Sequence, residues 1–195
     1  MTDDDPKREV DLEKRAILKC DDANKSGSIN AAYVNVRFLA ATAAAYIRKN
    51  GPDNSIYKRY FWTGDALDVV HQFDALVNEK SPTPMTCPGV VPGCSTLGLV
   101  FSDKGNINFC DQFFGLQSRD AFCGNPNDIS TNMVGLTFVT FARVFTSAGG
   151  DTASCVGSMV LPNPEKVTNA YNYAVSTQAP RGVPGAHVTC TNPGL

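Results

Sequence analysis

Apolar residues in the first half of the chain recur at steps of three and four, the spacing that places side chains on one face of a helix. The first such stretch begins at Ser28 or Asn30, either of which can act as the N-cap, and ends at the Asn-Gly-Pro of residues 50–52. Its apolar positions are Tyr33, Val36, Ala40, Ala43 and Ile47. A second stretch opens at the Gly-Asp of residues 64–65. Its apolar positions are Leu67, Val70, Phe73, Leu76 and Val77. The pattern therefore predicts two amphipathic helices, with the segment 56–62 between them.

The middle of the chain changes to a period of two, which is typical of a strand with one covered face. The alternating apolar positions are Leu97, Leu99, Phe101, Ile107 and Phe109. Between them, residues 103–105 read Asp-Lys-Gly, a sequence that favours a turn. This pattern predicts an antiparallel β-hairpin, followed by a short helical piece at residues 113–116.

Helical spacing returns in the last third of the chain. From Asp128 onward the inward positions are expected to be Met133, Leu136, Val139 or Thr140, Phe141 and Val144. A final helix starts at residues 163–165 (Asn-Pro-Glu), because asparagine is a good N-cap and proline suits the first turn. Its apolar positions are Val167, Ala170, Tyr171 and Ala174. With no internal repeat, these elements predict one mainly helical α+β domain that contains a small antiparallel sheet.

Composition and charge narrow the class of protein. Hydrophobic residues make up 43% of the 195 residues and charged residues 18%, a balance typical of a folded chain of one domain. The formal net charge is -2 and no long basic run occurs, which argues against nucleic acid or an anionic membrane surface as partner. No apolar stretch approaches the roughly 20 residues that a membrane-spanning helix needs. A peptide or protein partner stays open.

Seven cysteines are spread along the chain, at positions 20, 87, 94, 110, 123, 155 and 190. They lack the paired C-x-x-C spacing of a zinc ribbon. Spread cysteines indicate disulfides and hence an oxidising compartment, the alternative being a cytosolic protein with buried thiols. Because the number is odd, one thiol is left unpaired or links to another chain.

The first 15 residues are almost wholly polar and contain two dibasic pairs, at residues 7–8 and 14–15. The second pair is typical of a kexin-type processing site at the end of a pro-segment, so that the mature domain would span residues 16–195. The alternative is a charged, solvated tail. A signal peptide would lie upstream of Met1, since this segment has no apolar core. The Asn-Lys-Ser of residues 24–26 matches the acceptor pattern for N-glycosylation.

The order of these parts resembles the deuterolysins, the aspzincin metallopeptidases that fungi secrete. Similar segments are the Tyr-Phe-x-Thr of residues 60–63, the Phe-Cys-Asp of 109–111 and the Asn-Ala-x-x-Tyr of 169–173. Six cysteines lie in register with that family, and the resemblance spans residues 20–190. It implies a zincin-like deuterolysin fold stapled by disulfides, and secretion to the extracellular space.

The resemblance also implies a disulfide order, which the sequence alone cannot choose among fifteen pairings of six cysteines. The implied bridges are Cys20–Cys87, Cys94–Cys110 and Cys123–Cys190. Cys155 is then unpaired, and it is the candidate for an intermolecular link. No histidine partner for cysteine catalysis is visible beside it.

Deuterolysins carry His-Glu-x-x-His on the long helix after the fifth cysteine, where two histidines bind zinc and the glutamate is the general base. Here the first histidine position falls on Thr137, the glutamate on Phe138 and the second histidine on Phe141. Asp151 matches the position of the third ligand, as a remnant. Residues 124–155 contain no histidine and no glutamate. The sequence therefore predicts a degenerate member that holds neither zinc nor another cofactor and has no catalytic residues.

Two histidines remain elsewhere in the chain, His71 and His187. A new zinc site that joined them to Asp151 would require three distant segments to converge. We interpret His71 instead as a surface residue of the second helix, paired with Asp68 or Asp74.

Three functions compete for this sequence. The first is a secreted, monomeric binding module or effector that holds a peptide or protein in the old substrate groove, lined by Thr137, Asp151 and Tyr173. The second is an enzyme, either a metalloendopeptidase with an unconventional site or another chemistry in the reused pocket. The third is a structural or storage protein with no specific ligand. The missing ligands and base favour the first over the second.

Overall fold

The computed structural model describes residues 17–79, 83–88, 93–94, 100–103, 105–116, 132–149, 157 and 160–177. Its helices are α1 (Ala23–Asn50), α2 (Ser55–Tyr60), α3 (Ala66–Val77), α4 (Met133–Phe145), α5 (Asn163–Lys166) and α6 (Ala170–Ser176). Its strands are β1 (Ile17–Lys19), β2 (Pro84–Thr86), β3 (Val100–Asp103) and β4 (Asn106–Phe109), with a 3-10 helix at Asp111–Gly115. The polar segment 1–15 and the predicted strand positions Leu97 and Leu99 lie outside the described residues.

Helix α1 begins earlier than the sequence pattern predicts. Asp22 is the N-cap, and its Oδ1 accepts hydrogen bonds from the backbone N–H groups of Asn24 (2.9 Å) and Lys25 (3.1 Å). The predicted caps Ser28 and Asn30 both lie inside the helix. The hydroxyl of Ser28 donates instead to the carbonyl of Asn24, one turn back (3.0 Å). The prediction of the start was wrong because the first turns carry few apolar residues, so the apolar pattern becomes visible only later.

The end of α1 and the start of α3 lie where the sequence predicts. Gly51 has a φ of 69°, a left-handed value that favours glycine, and its N–H closes the helix on the carbonyl of Ile47 (2.8 Å). Asp65 caps α3 through a hydrogen bond from the N–H of Leu67 (2.8 Å). The buried stripe of α3 differs in two positions: Leu67 is 67% exposed, with Val69 buried instead, and Val77 is only partly buried.

The described strands form one sheet in the order β1-β2-β4-β3, and it is mixed rather than antiparallel. The predicted hairpin is present as the antiparallel pair of β3 and β4, with Gly105 at a φ of 77° in its turn. The pairs β1–β2 and β2–β4 are parallel. The prediction missed β1 and β2 because three residues are too few to show an alternating pattern.

Disulfides hold this sheet together at the ends of its strands. The last residues of β1 and β2, Lys19 and Thr86, are paired with each other. The residue that follows each strand is a cysteine, and these two form the bridge Cys20–Cys87. A second bridge, Cys94–Cys110, ties the residue that follows β4 to a preceding loop. These are two of the three pairings that the resemblance implies; positions 123, 155 and 190 lie outside the described residues. Two disulfides fit an extracellular protein.

Helix α4 lies at the centre of the core and packs against α1, α3, α6 and β3. Its buried residues are Val134, Gly135, Thr137, Phe138, Val139, Thr140, Phe141 and Ala142. Three of the predicted inward positions, Met133, Leu136 and Val144, are only partly buried. The predicted phase was wrong because neighbours surround the helix, so its sequence is apolar on nearly every face.

The last helix of the prediction is two short helices, α5 and α6. Pro162, rather than Asn163, occupies the cap position of α5. Before α6 the side chain of Asn169 donates to Asn172 (2.7 Å), and Asn172 in turn donates to the carbonyl of Tyr60 at the end of α2 (2.6 Å). Both asparagines are buried, so this network fixes α6 against α2. None of the described helices combines the length with the apolar composition that a membrane span requires.

The turn before α3 and the turn after α5 approach each other closely at Gly64. A Cβ atom added there would lie 2.3 Å from Cγ1 of Val167. We therefore expect Gly64→Ala to lower the free energy of unfolding by about 1–3 kcal/mol in urea denaturation. Gly27→Ala is the matched control, because its Cβ meets nothing within 4 Å and alanine favours the interior of α1.

Combining Gly64→Ala with Val167→Ala should restore part of the lost stability, since the second change removes the clashing methyl group. An unchanged unfolding midpoint for Gly64→Ala alone would show that the two turns do not approach in this way.

Candidate functional site

The three positions that the resemblance assigns to catalysis lie together on one side of α4, and all face the core. The side chains of Thr137 and Phe138 are fully buried, and Phe141 is 2% exposed. Asp151 lies outside the described residues. A peptidase needs its metal ligands and its base on an accessible surface, so the burial of these positions bears directly on function.

Phe138 belongs to an aromatic cluster that joins four helices and the turn after α2. The members of the aromatic cluster are Tyr57, Phe61, Phe73, Phe138 and Tyr173. Phe73 makes edge contacts with both Phe138 and Tyr173, at centroid distances of 6.4 and 5.1 Å. Phe61 closes the cluster against Tyr173 at 5.0 Å. Each such pair contributes about 0.5–1.5 kcal/mol beyond the burial of its area.

Phe141 and Thr137 are engaged elsewhere in the core. Phe141 makes edge contacts with Tyr33 of α1 (5.6 Å) and with Phe145 (5.3 Å). The hydroxyl of Thr137 donates to the carbonyl of Met133, one turn back in the same helix (2.7 Å). The hydroxyl hydrogen is therefore used inside α4.

The two tyrosines of the aromatic cluster are neutral hydrogen-bond donors. The hydroxyl of Tyr57 donates to the carbonyl of Gly64 (2.7 Å) and that of Tyr173 to the carbonyl of Val167 (2.9 Å). Burial, helped by the carboxylates of Asp65 and Asp68, raises the pKa of Tyr57 to about 12. Burial raises the pKa of Tyr173 still further. A general acid or base works best with a pKa near the working pH, so neither phenol suits that role at neutral pH.

Thr137 and Tyr173, predicted to line a groove, are thus both buried and hydrogen-bonded to backbone carbonyls. Both lie in the same core, and neither side chain faces solvent, so they do not line an open groove. A peptide bound beside α4 would have to contact other atoms.

The residues at this place do not fit a zinc ion. Catalytic zinc takes three protein ligands, usually imidazole or carboxylate, whereas the side of α4 described here offers phenyl rings and a hydroxyl that is already bonded. Among the described residues, no group of three or more His, Cys, Asp or Glu side chains is placed to hold a metal.

His71 lies exposed on α3, as the sequence suggests. Of its two predicted partners, Asp74 forms an ion pair with Arg48 of α1. The pairing of His71 with Asp68 stays a prediction. His187 and Asp151 lie outside the described residues.

Sequence reasoning missed a buried polar cluster between α1 and α3. Tyr33 donates to Oε2 of the buried Glu79 (3.3 Å), and Nε of the buried Arg37 donates to the carbonyl of Val77 (2.9 Å), the last residue of α3. Arg37 therefore closes the C-terminal end of α3, where a cation is favourable. One sequence feature could have revealed this cluster: Arg37 is the only charged residue of α1 between Lys25 and Arg48.

Comparison with known proteins supports the fold. No family model matches the chain, and no curated protein does. Among solved structures, a zinc peptidase from Grifola frondosa matches with a TM-score of 0.59 and 11% identity, over 80% of this chain and 96% of that one. The chain therefore has a mainly helical, deuterolysin-like fold, as the order of its motifs predicts. At this identity the likeness shows the fold alone.

If the aromatic cluster is the centre of the core, removing a ring from it should be costly. We expect Phe138→Ala to lower the free energy of unfolding by about 3–5 kcal/mol, because it leaves a cavity among rings that cannot collapse fully. Val34→Ala, on the outer face of α1 where the side chain is 40% exposed, is the control and should change stability by no more than about 0.5 kcal/mol. Similar values for the two variants in chemical denaturation would contradict the central position of Phe138.

Proposed function

We propose that this chain is a secreted protein that retains a peptidase fold as a binding scaffold and does not cleave peptides. The observation that carries the proposal is the burial of Phe138 and Phe141 in the core, at the positions of the general base and of a zinc ligand. Disulfides at the ends of the strands support the extracellular location.

The chemistry of hydrolysis would need groups that these positions lack. Water has to be activated by a metal or by a base, and the carbonyl has to be polarised. A phenyl ring does neither. A glutamate placed at position 138 would be desolvated among the rings of the aromatic cluster, which favours its protonated form. The surrounding core is therefore built for apolar side chains.

Binding can use an edge of the described sheet instead of a catalytic groove. Strand β3 has only β4 as a neighbour among the described strands, and it lies against α4. An extended peptide can add to such an edge, gaining main-chain hydrogen bonds from the strand and side-chain contacts beside it. The partner we propose is therefore a peptide, or an extended segment of a protein, aligned with β3.

The hairpin register shows which groups of β3 face outward. Asp103 pairs with Asn106 on either side of the two-residue turn, and Ser102 pairs with Ile107. In such a hairpin the pair beside the turn exchanges both hydrogen bonds, and the next pair exchanges none. The N–H and C=O groups of Ser102 therefore point away from β4, and its side chain is exposed. Ser102 is the position at which strand addition can be blocked selectively.

The test is retention of peptides by the immobilised chain. Peptides from a pepsin digest of casein serve as the probe, and mass spectrometry identifies those that are retained and whether they have been cut. We expect extended peptides to be retained and recovered intact. Ser102→Pro should abolish retention because it removes the outward N–H, whereas the control Ser102→Ala keeps that N–H and should bind as the parent chain does.

Equal retention by Ser102→Pro and the parent chain would rule out strand addition at β3. Absence of retention by a correctly folded sample would rule out this peptide-binding role. Cleavage of the probe that a chelator stops would show that the chain is a metallopeptidase with an unconventional site.

A further inference from the structure

The Asn-Lys-Ser triplet of residues 24–26 lies apart from the edge strand β3 in the sequence. The 195 residues contain a single Asn-x-Ser/Thr triplet, residues 24–26, with lysine rather than proline in the middle. This triplet is the acceptor pattern for N-linked glycosylation in proteins that enter the secretory pathway.

The fold leaves the acceptor side chain open to solvent. Asn24 lies in the first turn of α1, and its side chain is exposed, as are those of Asp21, Asp22 and Ala23 before it. The backbone of Asn24 is used in the cap and in the bond from Ser28. Its side-chain amide makes no hydrogen bond to any residue that the structure describes. A sugar on that nitrogen would therefore break no hydrogen bond to the described residues.

The helix itself determines when the sugar can be added. Residues two apart on a helix do not face each other, so the folded chain keeps the amide of Asn24 and the hydroxyl of Ser26 apart. Transfer to this triplet needs the two groups to be presented together on an extended or turned chain. The modification therefore has to precede the formation of α1.

We infer that Asn24 is an N-glycosylation site that is modified while the chain is still unfolded. The side-chain nitrogen Nδ2 forms a bond to C1 of an N-acetylglucosamine, and the bond from that carbon to a polyisoprenyl diphosphate breaks. The diphosphate leaves with the bonding electrons, and Nδ2 loses one proton. The lipid-linked oligosaccharide is the co-reactant that the secretory lumen supplies. The inference rests on the secretion part of the proposed function and not on peptide binding.

The test is cell-free translation of the full chain behind a cleavable signal peptide, in the presence of microsomal membranes. Removal of the signal peptide shows that the chain has entered the lumen. We expect one larger species, which peptide N-glycosidase converts to the unmodified size. Asn24→Gln and Ser26→Ala should abolish that species, whereas Ser26→Thr should retain it, because threonine supplies the same hydroxyl.

A second arm tests the order of events. The folded, oxidised chain and the reduced, denatured chain are added separately to detergent-opened microsomes. We expect only the denatured chain to be modified, and equal modification of both would overturn the inferred order.

An unmodified parent chain from which the signal peptide has been removed would overturn the site, as would a glycan that survives in Asn24→Gln. Peptide retention by the Ser102 variants is measured on the unglycosylated protein, so failure of one proposal leaves the other standing.

Discussion

The packing of α4 against four other elements is the constraint on which the rest of the structure depends. Helices α1, α3 and α6 and strand β3 all contact it. On nearly every face its side chains therefore have to be apolar, or polar with their hydrogen bonds made inside the helix. Phe138 and Phe141 fill the space between it and its neighbours, and Thr137 bonds its own helix. A zinc site in the same place would need imidazole and carboxylate groups that reach water. The same rings that stabilise this core therefore occupy the place where a zinc site would need polar ligands.

The small sheet is organised around covalent links rather than around long strands. Strands β1 and β2 contain three residues each, too few to be stable alone, and Cys20–Cys87 joins them where their pairing ends. A bridge of this kind contributes about 2–4 kcal/mol by restricting the unfolded chain. The sheet so fixed places β3 at the edge of the described strands, next to α4, and this is the edge on which the peptide-binding proposal rests.

Local chemistry in the sequence was enough to predict some elements and not others. The end of α1 at Gly51, the cap of α3 at Asp65 and the hairpin turn at Gly105 follow from side-chain and backbone preferences, and all three are present. Tertiary packing decided the rest. The phase of α4 could not be deduced because the helix is apolar all round, and the pairing of Cys20 with Cys87 needed the family resemblance. The core position of Tyr173 also escaped prediction, because a tyrosine at helical spacing suits a groove and a core equally well.

The amount of zinc that the folded chain binds is the decisive measurement. The protein is expressed through a secretory route and dialysed against a trace of zinc, and the metal per chain is determined by elemental mass spectrometry. We expect less than about a tenth of an equivalent, because the side chains on α4 offer no ligand set. A value near one equivalent would contradict it. Side chains such as His71, His187 and Asp151 would then have to converge on one ion, and the chain would again be a candidate enzyme.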